Sequence, residues 1–210
     1  MPLLHSHAQT NVSRRVKERE DPYVYPGTLV LRNLLGITKP AFLDKQERSL
    51  VVLRSRKGVP RGDFDLAHLR AIHCHLFQDV YDWAGELRTV EIGKGDQQFQ
   101  FRQYIQTGMA DVHRRLVQSR LLSGLPPAGF AEQAAGIIGD TNYIHPFRDG
   151  NGRTQLQYLK QLAGKAGHRL DLARIEGHGW LEASVASHAT DYGPMAALIA
   201  EAVAPRASRR

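Results

Sequence analysis

Apolar residues recur at helical spacing along most of the chain. Between residues 66 and 80 they stand at offsets of 0, 3, 7, 8 and 11, which mark one face of an α-helix. The residues on that face are Leu69, Ile72, Leu76, Phe77 and Val80. Similar stripes, bounded by prolines, glycines and capping residues, predict about eight helices. They cover about residues 28–35, 40–55, 66–80, 103–122, 129–143, 151–166, 177–188 and 191–203.

Three of the later helices have an apolar stripe that predicts which side chains enter the core. The predicted core positions are Ile105, Met109, Val112 and Leu116 in the first, Phe130, Ala134, Ile137 and Thr141 in the second, and Leu156, Leu159 and Ala163 in the third. The segment 87–101 differs, because β-branched and aromatic residues alternate with polar ones around Gly93-Lys94-Gly95-Asp96. That pattern favours a β-hairpin. The sequence therefore predicts an all-α fold with one small hairpin.

The chain of 210 residues contains no internal repeat and no linker-like segment that would divide it. We expect one domain over residues 21–203, preceded by a flexible basic extension at 1–20 and followed by a basic tail at 204–210. No stretch approaches the roughly 18–20 apolar residues of a membrane helix, and residues 1–20 lack the apolar core of a secretion signal. Neither a membrane partner nor a secretory signal is therefore expected.

The net charge of +7 and the pI of about 9.7 raise the possibility of nucleic-acid binding. The arginines are dispersed, however, and the densest clusters stand near the chain ends, which is typical of solvated tails. Nucleic acid is thus not the expected partner, while a polyanionic small molecule such as a nucleotide would be attracted by the same charge. The one cysteine, Cys74, cannot form an intrachain disulfide and fits a cytoplasmic protein. Its apolar surroundings in sequence predict a buried, unreactive thiol.

The run His145-Pro146-Phe147-Arg148-Asp149-Gly150-Asn151-Gly152-Arg153-Thr154 places several chemically active groups at the start of a predicted helix. The first amides of a helix have no intrahelical partner, so those of Gly150, Asn151, Gly152 and Arg153 can bind an anion. Gly150 and Gly152 permit positive φ and a close approach to phosphate. Arg153 can reach the same anion with its planar set of donors.

Two further groups in this run suit nucleotide chemistry. Asp149 would repel a phosphate by itself, and its presence makes sense if it holds Mg²⁺, which binds one or two carboxylates together with phosphate oxygens. His145 has an unperturbed pKa near 6.5 and can accept a hydroxyl proton at neutral pH. Phe147 offers no polar chemistry and is expected to anchor the loop in the core. Each residue alone would suit an ordinary turn, but their combination favours a functional loop.

The run resembles the signature H-x-F-x-[DE]-G-N-G-R-x-x-R of the Fic family. The resemblance extends to Asp21–Ile37, to His75–Arg88 and to the hairpin Thr89–Phe101, and it covers about residues 21–203. It implies the Fic fold, with a central helix–loop–helix and a hairpin flap. It also implies transfer of AMP from ATP, with Mg²⁺, to a Ser, Thr or Tyr hydroxyl of a target protein.

The same resemblance implies a role for each residue of the run. His145 would be the catalytic base, Asp149 the metal ligand, and Gly150, Asn151 and Gly152 the anion hole. Arg153 would bind the phosphate chain. The flap residues Ile92, Gly93, Lys94, Gln98 and Phe99 would register the target chain by main-chain pairing, as in strand addition to a sheet edge. A purely structural β-turn is the alternative for this hairpin.

The chain departs from the family pattern at Leu156, where the family has a second arginine that holds the outermost phosphate of ATP. In the family that arginine also pairs with a glutamate of an inhibitory helix with the pattern [ST]-x-x-x-E-[GN]. No glutamate of this chain has Ser or Thr four residues before it. The resemblance therefore implies a toxin-like bacterial protein, restrained by a separate antitoxin if at all. It would act in the bacterial cytosol, with delivery into a host cell left open.

Leu156 leaves two interpretations of the donor site. In the first, Leu156 extends the apolar stripe, and the far phosphate is held by another cation or is not held. In the second, the protein prefers a different nucleotide or a different orientation of it. Because a charge-assisted arginine–phosphate bond contributes about 1.5–3 kcal/mol, its loss would weaken ATP binding roughly ten- to a hundredfold. The alternative function is accordingly a Fic-fold protein with altered nucleotide preference or with weak or lost transfer.

Overall fold

Seven α-helices account for most of the residues described in this computed structural model, which are 21–94, 97–175 and 177–205. In chain order they are α1 Pro40–Arg56, α2 Leu66–Phe77, α3 Ile105–Gln118, α4 Pro127–Ile144, α5 Asn151–Ala166, α6 His178–His188 and α7 Gly193–Ala202. Short 3₁₀ turns lie at Arg102–Tyr104, Arg120–Leu122 and Leu172–Arg174. The predicted all-α class is confirmed.

Two small antiparallel sheets accompany the helices. Strands β1 (Gly93–Lys94) and β2 (Gln97–Gln98) form the predicted hairpin, with Gly93 opposite Gln98. Strands β3 (His168–Leu170) and β4 (Val203–Pro205) pair across the last two helices and were not predicted. Strand β4 continues two residues past the predicted domain boundary at 203. The predicted extension at 1–20 and the tail residues 206–210 lie outside the described residues.

Helix α4 is the centre of the fold and packs against α3, α5, α6 and α7. Its predicted core positions are all buried, and so are alanines on its other faces. Small side chains such as Ala131, Ala134 and Ala135 let the neighbouring helices approach closely on several sides. Helix α5 follows α4 after a short loop and packs against both α4 and α2. The helix–loop–helix predicted to hold the chemistry therefore lies at the core.

The predicted apolar stripes are confirmed as the core. On α2, α3 and α5, every position that the periodicity singled out is buried, as is Val80 just after α2. Phe147 is fully buried, so its predicted role as an anchor of the loop is also confirmed. Helix α2 begins where predicted, because the Asp65 carboxylate accepts a hydrogen bond from the His68 amide at 2.8 Å.

The helix predicted over 28–35 is wrong. Those residues form turns and an isolated bridge between Val24 and Leu31. The Asn33 side chain bonds the backbone carbonyls of Leu31 and Ile37 and accepts from the Ile37 amide. Such local side-chain bonds give the backbone an alternative to helical pairing.

The prediction of a buried Cys74 is also wrong, because the thiol is exposed. The buried face of α2 passes through His68, Ile72 and His73, and Cys74 falls on the opposite side. Two histidines that the pattern counted as polar, His68 and His73, are buried beside the predicted stripe, and Cys74 lies outside this buried face. Over the described part of the chain, no helix is long and apolar enough to span a bilayer.

Candidate active site

The loop between α4 and α5 is bounded by two residues in the left-handed backbone region. His145 ends α4 at φ 48° and ψ 66°, with its amide donating to the Thr141 carbonyl at 3.1 Å. Gly150 precedes α5 at φ 77° and ψ 1°. The first of these residues ends α4, and the second precedes the amides at the start of α5. The six residues between the helices therefore form one compact turn over the core.

The neighbours of the His145 imidazole fix its tautomer. Nδ1 lies 3.0 Å from the Asn142 backbone carbonyl, which can only accept a hydrogen bond, so Nδ1 carries the proton and Nε2 keeps its lone pair. The ring stacks on Phe99 with centroids 3.7 Å apart. Burial, followed by the nearby charges of Arg88 and His188, lowers the pKa of His145 to about 4. The imidazole is thus uncharged at neutral pH and able to accept a proton.

Arg88 joins the end of α4 to the base of the hairpin. Its side chain is fully buried, and it donates from Nε to the His145 carbonyl at 2.8 Å and from Nη1 to the Val90 carbonyl at 2.9 Å. Nη2 donates to the Gln100 carbonyl, and Nη1 also pairs with the Glu91 carboxylate at 3.2 Å. A cation at a helix C-terminus is favoured by the helix dipole. Arg88 was not singled out from the sequence, because the carbonyls it binds are up to 57 residues away.

His73 of α2 binds the backbone of the loop. The Gly85 amide donates to its Nδ1 at 2.8 Å, so Nε2 carries the proton and donates to the Asp149 carbonyl at 3.0 Å. The ring stacks on Phe147 with centroids 3.9 Å apart. Burial lowers the pKa of His73 to about 4. No pattern in the sequence indicates this contact, since a histidine on an apolar helix face is usually only a core residue.

The buried His73 predicts that the protein loses stability in mild acid. Its pKa is about 4 in the folded protein against 6.5 as the ordinary value, so between these values the unfolded chain binds more protons. We expect the free energy of unfolding to fall by up to about 3 kcal/mol from this group as the pH drops from 7 to 4. Urea denaturation across this range measures the effect.

The matched comparison is His73→Gln against His113→Gln. His113 is half-buried and lies away from the loop. The first variant should show a shallower pH dependence than the wild type, while the second should follow the wild type. His145 titrates in the same direction, so part of the dependence should remain in His73→Gln. Parallel curves for wild type and His73→Gln would contradict the assignment.

The start of α5 presents the predicted anion site. The first backbone bond into the helix runs from the Thr154 amide to the Gly150 carbonyl at 3.1 Å, so the preceding amides have no intrahelical partner. The Gly150 amide is 2.5 Å from the Asp149 carboxylate, which leaves those of Asn151, Gly152 and Arg153 for a ligand. The Asn151 side chain brackets the loop instead, accepting from the Phe147 amide at 3.0 Å and donating to its carbonyl at 2.8 Å.

Gly150 is required by both backbone and packing. At its φ of 77° an L side chain is strained, and a Cβ there would lie 2.4 Å from the Phe77 ring. We expect Gly150→Ala to lower the free energy of unfolding by about 2–4 kcal/mol. Gly164→Ala on the same α5 is the control, because a Cβ there meets nothing within 4 Å. It should stabilise by about 0.5–1 kcal/mol. Equal effects in thermal unfolding would contradict this account.

Arg153 is held at the edge of the anion site by carboxylates from two directions. Nη1 pairs with Glu47 of α1, and Nη2 lies 3.5 Å from the Asp149 carboxylate. Its guanidinium also lies over the Phe77 ring, 4.7 Å from the centroid. The hydroxyl of Tyr81 donates to the same buried Glu47. Glu47 was not predicted from the sequence, yet it aligns the arginine that the phosphate chain would meet.

The predicted residues meet around one cavity of about 490 Å³. It is lined by His145, Asp149, Gly150, Asn151, Gly152, Arg153 and the hairpin residues Ile92, Gly93, Lys94 and Phe99. Gln98 is the exception: Gln97 lines the cavity in its place, and the Gln98 side chain donates to the Ile92 carbonyl at 2.8 Å. A larger cavity of about 960 Å³ contains none of the predicted site residues.

Helix α6 supplies a wall that the sequence did not predict. The cavity is lined on this side by Trp180, Leu181, Ser184, Val185 and His188. Their spacing places them on one face of the helix. His188 lies edge-on to Phe99, with ring centroids 4.9 Å apart. The sequence predicted a helix over 177–188, but not which of its residues would face the site.

Leu156 belongs to both the core and the cavity. It is only 7% exposed and lies in the main apolar cluster, as the helical stripe predicted. It also lines the cavity one turn after the anion site. The cavity wall beyond the phosphate-binding turn is thus apolar at the position where the family pattern has a cation.

Comparison with known proteins agrees with this geometry. The sequence pattern of the Fic/DOC family matches residues 63–163, which include the hairpin, the loop and most of α5. A probable protein adenylyltransferase, y4lH, of Sinorhizobium fredii is 41% identical over 181 residues, covering 86% of this chain and 94% of the relative. This chain belongs to the Fic/DOC family.

Two further Fic proteins support the placement. Protein adenylyltransferase VbhT of Bartonella schoenbuchensis is 37% identical over 190 residues, covering 89% of this chain and 40% of the relative. The crystal structure of the BepC effector protein of Bartonella tribocorum, with bound AMPPNP, superposes with a TM-score of 0.82 at 28% identity. The superposition covers 90% of this chain and 99% of BepC, so the Fic fold is shared over nearly the whole domain.

Proposed function

We propose that this Fic protein is a protein adenylyltransferase that moves AMP from ATP to a Ser, Thr or Tyr hydroxyl of a target protein. The observation that carries the proposal is the uncharged His145 beside the free amides at the start of α5, in one cavity. Nucleotidyl transfer to a hydroxyl requires a proton acceptor and an anion site, and here both line the same cavity.

In the proposed reaction the target hydroxyl oxygen attacks the α-phosphorus of ATP. Nε2 of His145 takes the hydroxyl proton, the bond between the α-phosphorus and its bridging oxygen breaks, and pyrophosphate leaves. The Nδ1–H bond to the Asn142 carbonyl keeps the imidazole oriented and supports the positive charge that forms on the ring. Arg88 fixes the backbone at His145, so that the base is held by both main chain and side chain.

The phosphate chain is held by the residues that follow. The amides of Asn151 and Gly152 donate to its oxygens, and Arg153 neutralises part of its charge. Asp149 suits Mg²⁺, because its carboxylate lines the cavity and remains 46% exposed. Within the described residues no three His, Cys, Asp or Glu side chains cluster to form a metal site by themselves. A single carboxylate fits Mg²⁺ that is bound mainly through phosphate and water, and the ion would supply charge neutralisation.

The hairpin is the proposed docking edge for the target chain. Gly93 and Lys94 of β1 are exposed, while Ile92 is half-buried beside the cavity. An extended segment paired with this edge would place a hydroxyl side chain over His145, and main-chain pairing would tolerate different target sequences. Phe99 serves the site differently, since it is buried against the His145 ring.

The experiment is transfer from ATP labelled at the α-phosphate, compared with ATP labelled at the γ-phosphate, in the presence of Mg²⁺ and bacterial lysate. Protein-bound label is expected only from the α-labelled nucleotide, with release of pyrophosphate. Incorporation of the γ-label would indicate phosphorylation, and absence of label from either would contradict the proposal. Restraint by a separate antitoxin chain and a cytosolic location stay predictions from the sequence.

A further inference from the structure

The α6 wall contains a hydrogen-bond donor that the catalytic roles leave unused. The Trp180 side chain is only 9% exposed and lines the catalytic cavity. Its indole nitrogen Nε1 lies 3.4 Å from the position that a Cβ on Gly152 would occupy. Gly152 is in the first turn of α5, so the indole nitrogen lies beside the helix turn whose amides can bind an anion.

This N–H has no hydrogen-bond partner among the residues that the structure describes. The N–H of a largely buried side chain normally bonds an acceptor in the protein, in ordered water or in a ligand. The second tryptophan provides a comparison: Nε1 of Trp83 is also unpaired, but that atom is sealed within the protein. Trp180 differs because it borders a cavity in which a ligand can supply the acceptor.

The charge around Trp180 indicates which acceptor fits. The cavity that Trp180 lines also contains the first residues of α5 and Arg153, which attract an anion. Its other lining residues include Leu156 and Leu181, whose side chains carry neither donor nor charge. A phosphate oxygen bound at the α5 terminus is therefore the acceptor that an indole N–H beside Gly152 can reach.

We propose that Trp180 is a nucleotide-binding residue whose indole N–H donates to a phosphate oxygen at the start of α5. It supplies from α6 a neutral donor to a cavity in which Leu156 offers none. The inference rests on the proposed function only in requiring that a nucleotide phosphate occupies this cavity. It does not depend on transfer to a protein.

The test is calorimetric titration with ATP, ADP and adenosine of the wild type, Trp180→Phe and Trp83→Phe. Phenylalanine keeps an aromatic ring and removes the N–H. We expect Trp180→Phe to bind ATP and ADP about tenfold more weakly. Adenosine, which has no phosphate, should bind the variant and the wild type alike, and Trp83→Phe should match the wild type throughout.

A second measurement covers the case in which Trp180→Phe fails to fold. Trp180 and Trp83 are the only two tryptophans in the sequence, so Trp83→Phe leaves a single indole N–H resonance in the ¹⁵N spectrum. That resonance should move downfield on addition of ADP and stay in place with adenosine.

Three results would overturn the inference. The first is equal ATP affinity in the wild type and Trp180→Phe. The second is a loss of adenosine affinity in Trp180→Phe equal to its loss of ATP affinity, which indicates packing alone. The third is a wild type that binds no nucleotide. These outcomes are separate from the transfer assay. Loss of ADP affinity in Trp180→Phe together with no label transfer by the wild type would reject the proposed function and leave this inference standing.

Discussion

His145→Asn is expected to lower the rate of AMP transfer by about 10²- to 10⁴-fold, which is the usual contribution of a positioned general base. Asparagine is the appropriate replacement because His145 has a φ of 48°, and asparagine tolerates the left-handed region better than alanine does. The variant removes the proton acceptor while the loop keeps its backbone. Single-turnover transfer of α-labelled ATP measures the effect.

The affinity for ATP separates this role from a structural one. No atom of the His145 ring is assigned to the phosphate chain, so His145→Asn should bind ATP within about twofold of the wild type, corresponding to roughly 0.4 kcal/mol. His113→Asn is the control, since it changes a half-buried histidine away from the cavity, and its transfer rate should be unchanged. A His145→Asn variant that transfers AMP at the wild-type rate would require a different base.

Arg88→Met is expected to lower the free energy of unfolding by about 3–5 kcal/mol. Methionine fills much of the volume of the arginine but donates to none of the carbonyls of His145, Val90 and Gln100. It also leaves Glu91 without its buried partner. Carbonyls left unpaired in the interior carry the cost of lost hydration. Chemical denaturation measures the change.

The control for Arg88 is Arg32→Met. Arg32 also donates to a backbone carbonyl, that of Val24 at 2.8 Å, but it is exposed, so water replaces the lost bond. Its loss should cost no more than about 0.5 kcal/mol. Arg88→Lys should fall between the two, because lysine keeps the charge but lacks the planar set of donors. Equal stability of Arg88→Met and Arg32→Met would show that the contacts of Arg88 contribute little.

Local patterns predicted the helices well where one face had to be buried. The stripe on α3 and the bounds of α5 agree with the structure because periodic apolar residues and the flanking glycines act over a few residues. Prediction failed over 28–35, where Asn33 and its neighbours form local bonds that compete with a helix. It failed again at Cys74, because the polar-looking His68 and His73 occupy the inner face of α2.

The sequence by itself determined the chemistry of the site. His145, Asp149 and Arg153 are neighbours in the chain, and the glycines between them set the turn, so the loop could be recognised without any knowledge of the fold. A base, a carboxylate, free amides and a cation in this order are enough to indicate phosphate chemistry.

Only the tertiary structure decided how that chemistry is held. Arg88 reaches carbonyls of α4, His73 supports Asp149 from α2, Glu47 aligns Arg153 from α1, and Trp180 faces Gly152 from α6. Each of these contacts joins residues more than 20 positions apart and depends on how helices pack, which no local pattern encodes. The low pKa of His145 likewise follows from burial, a property of the assembled fold.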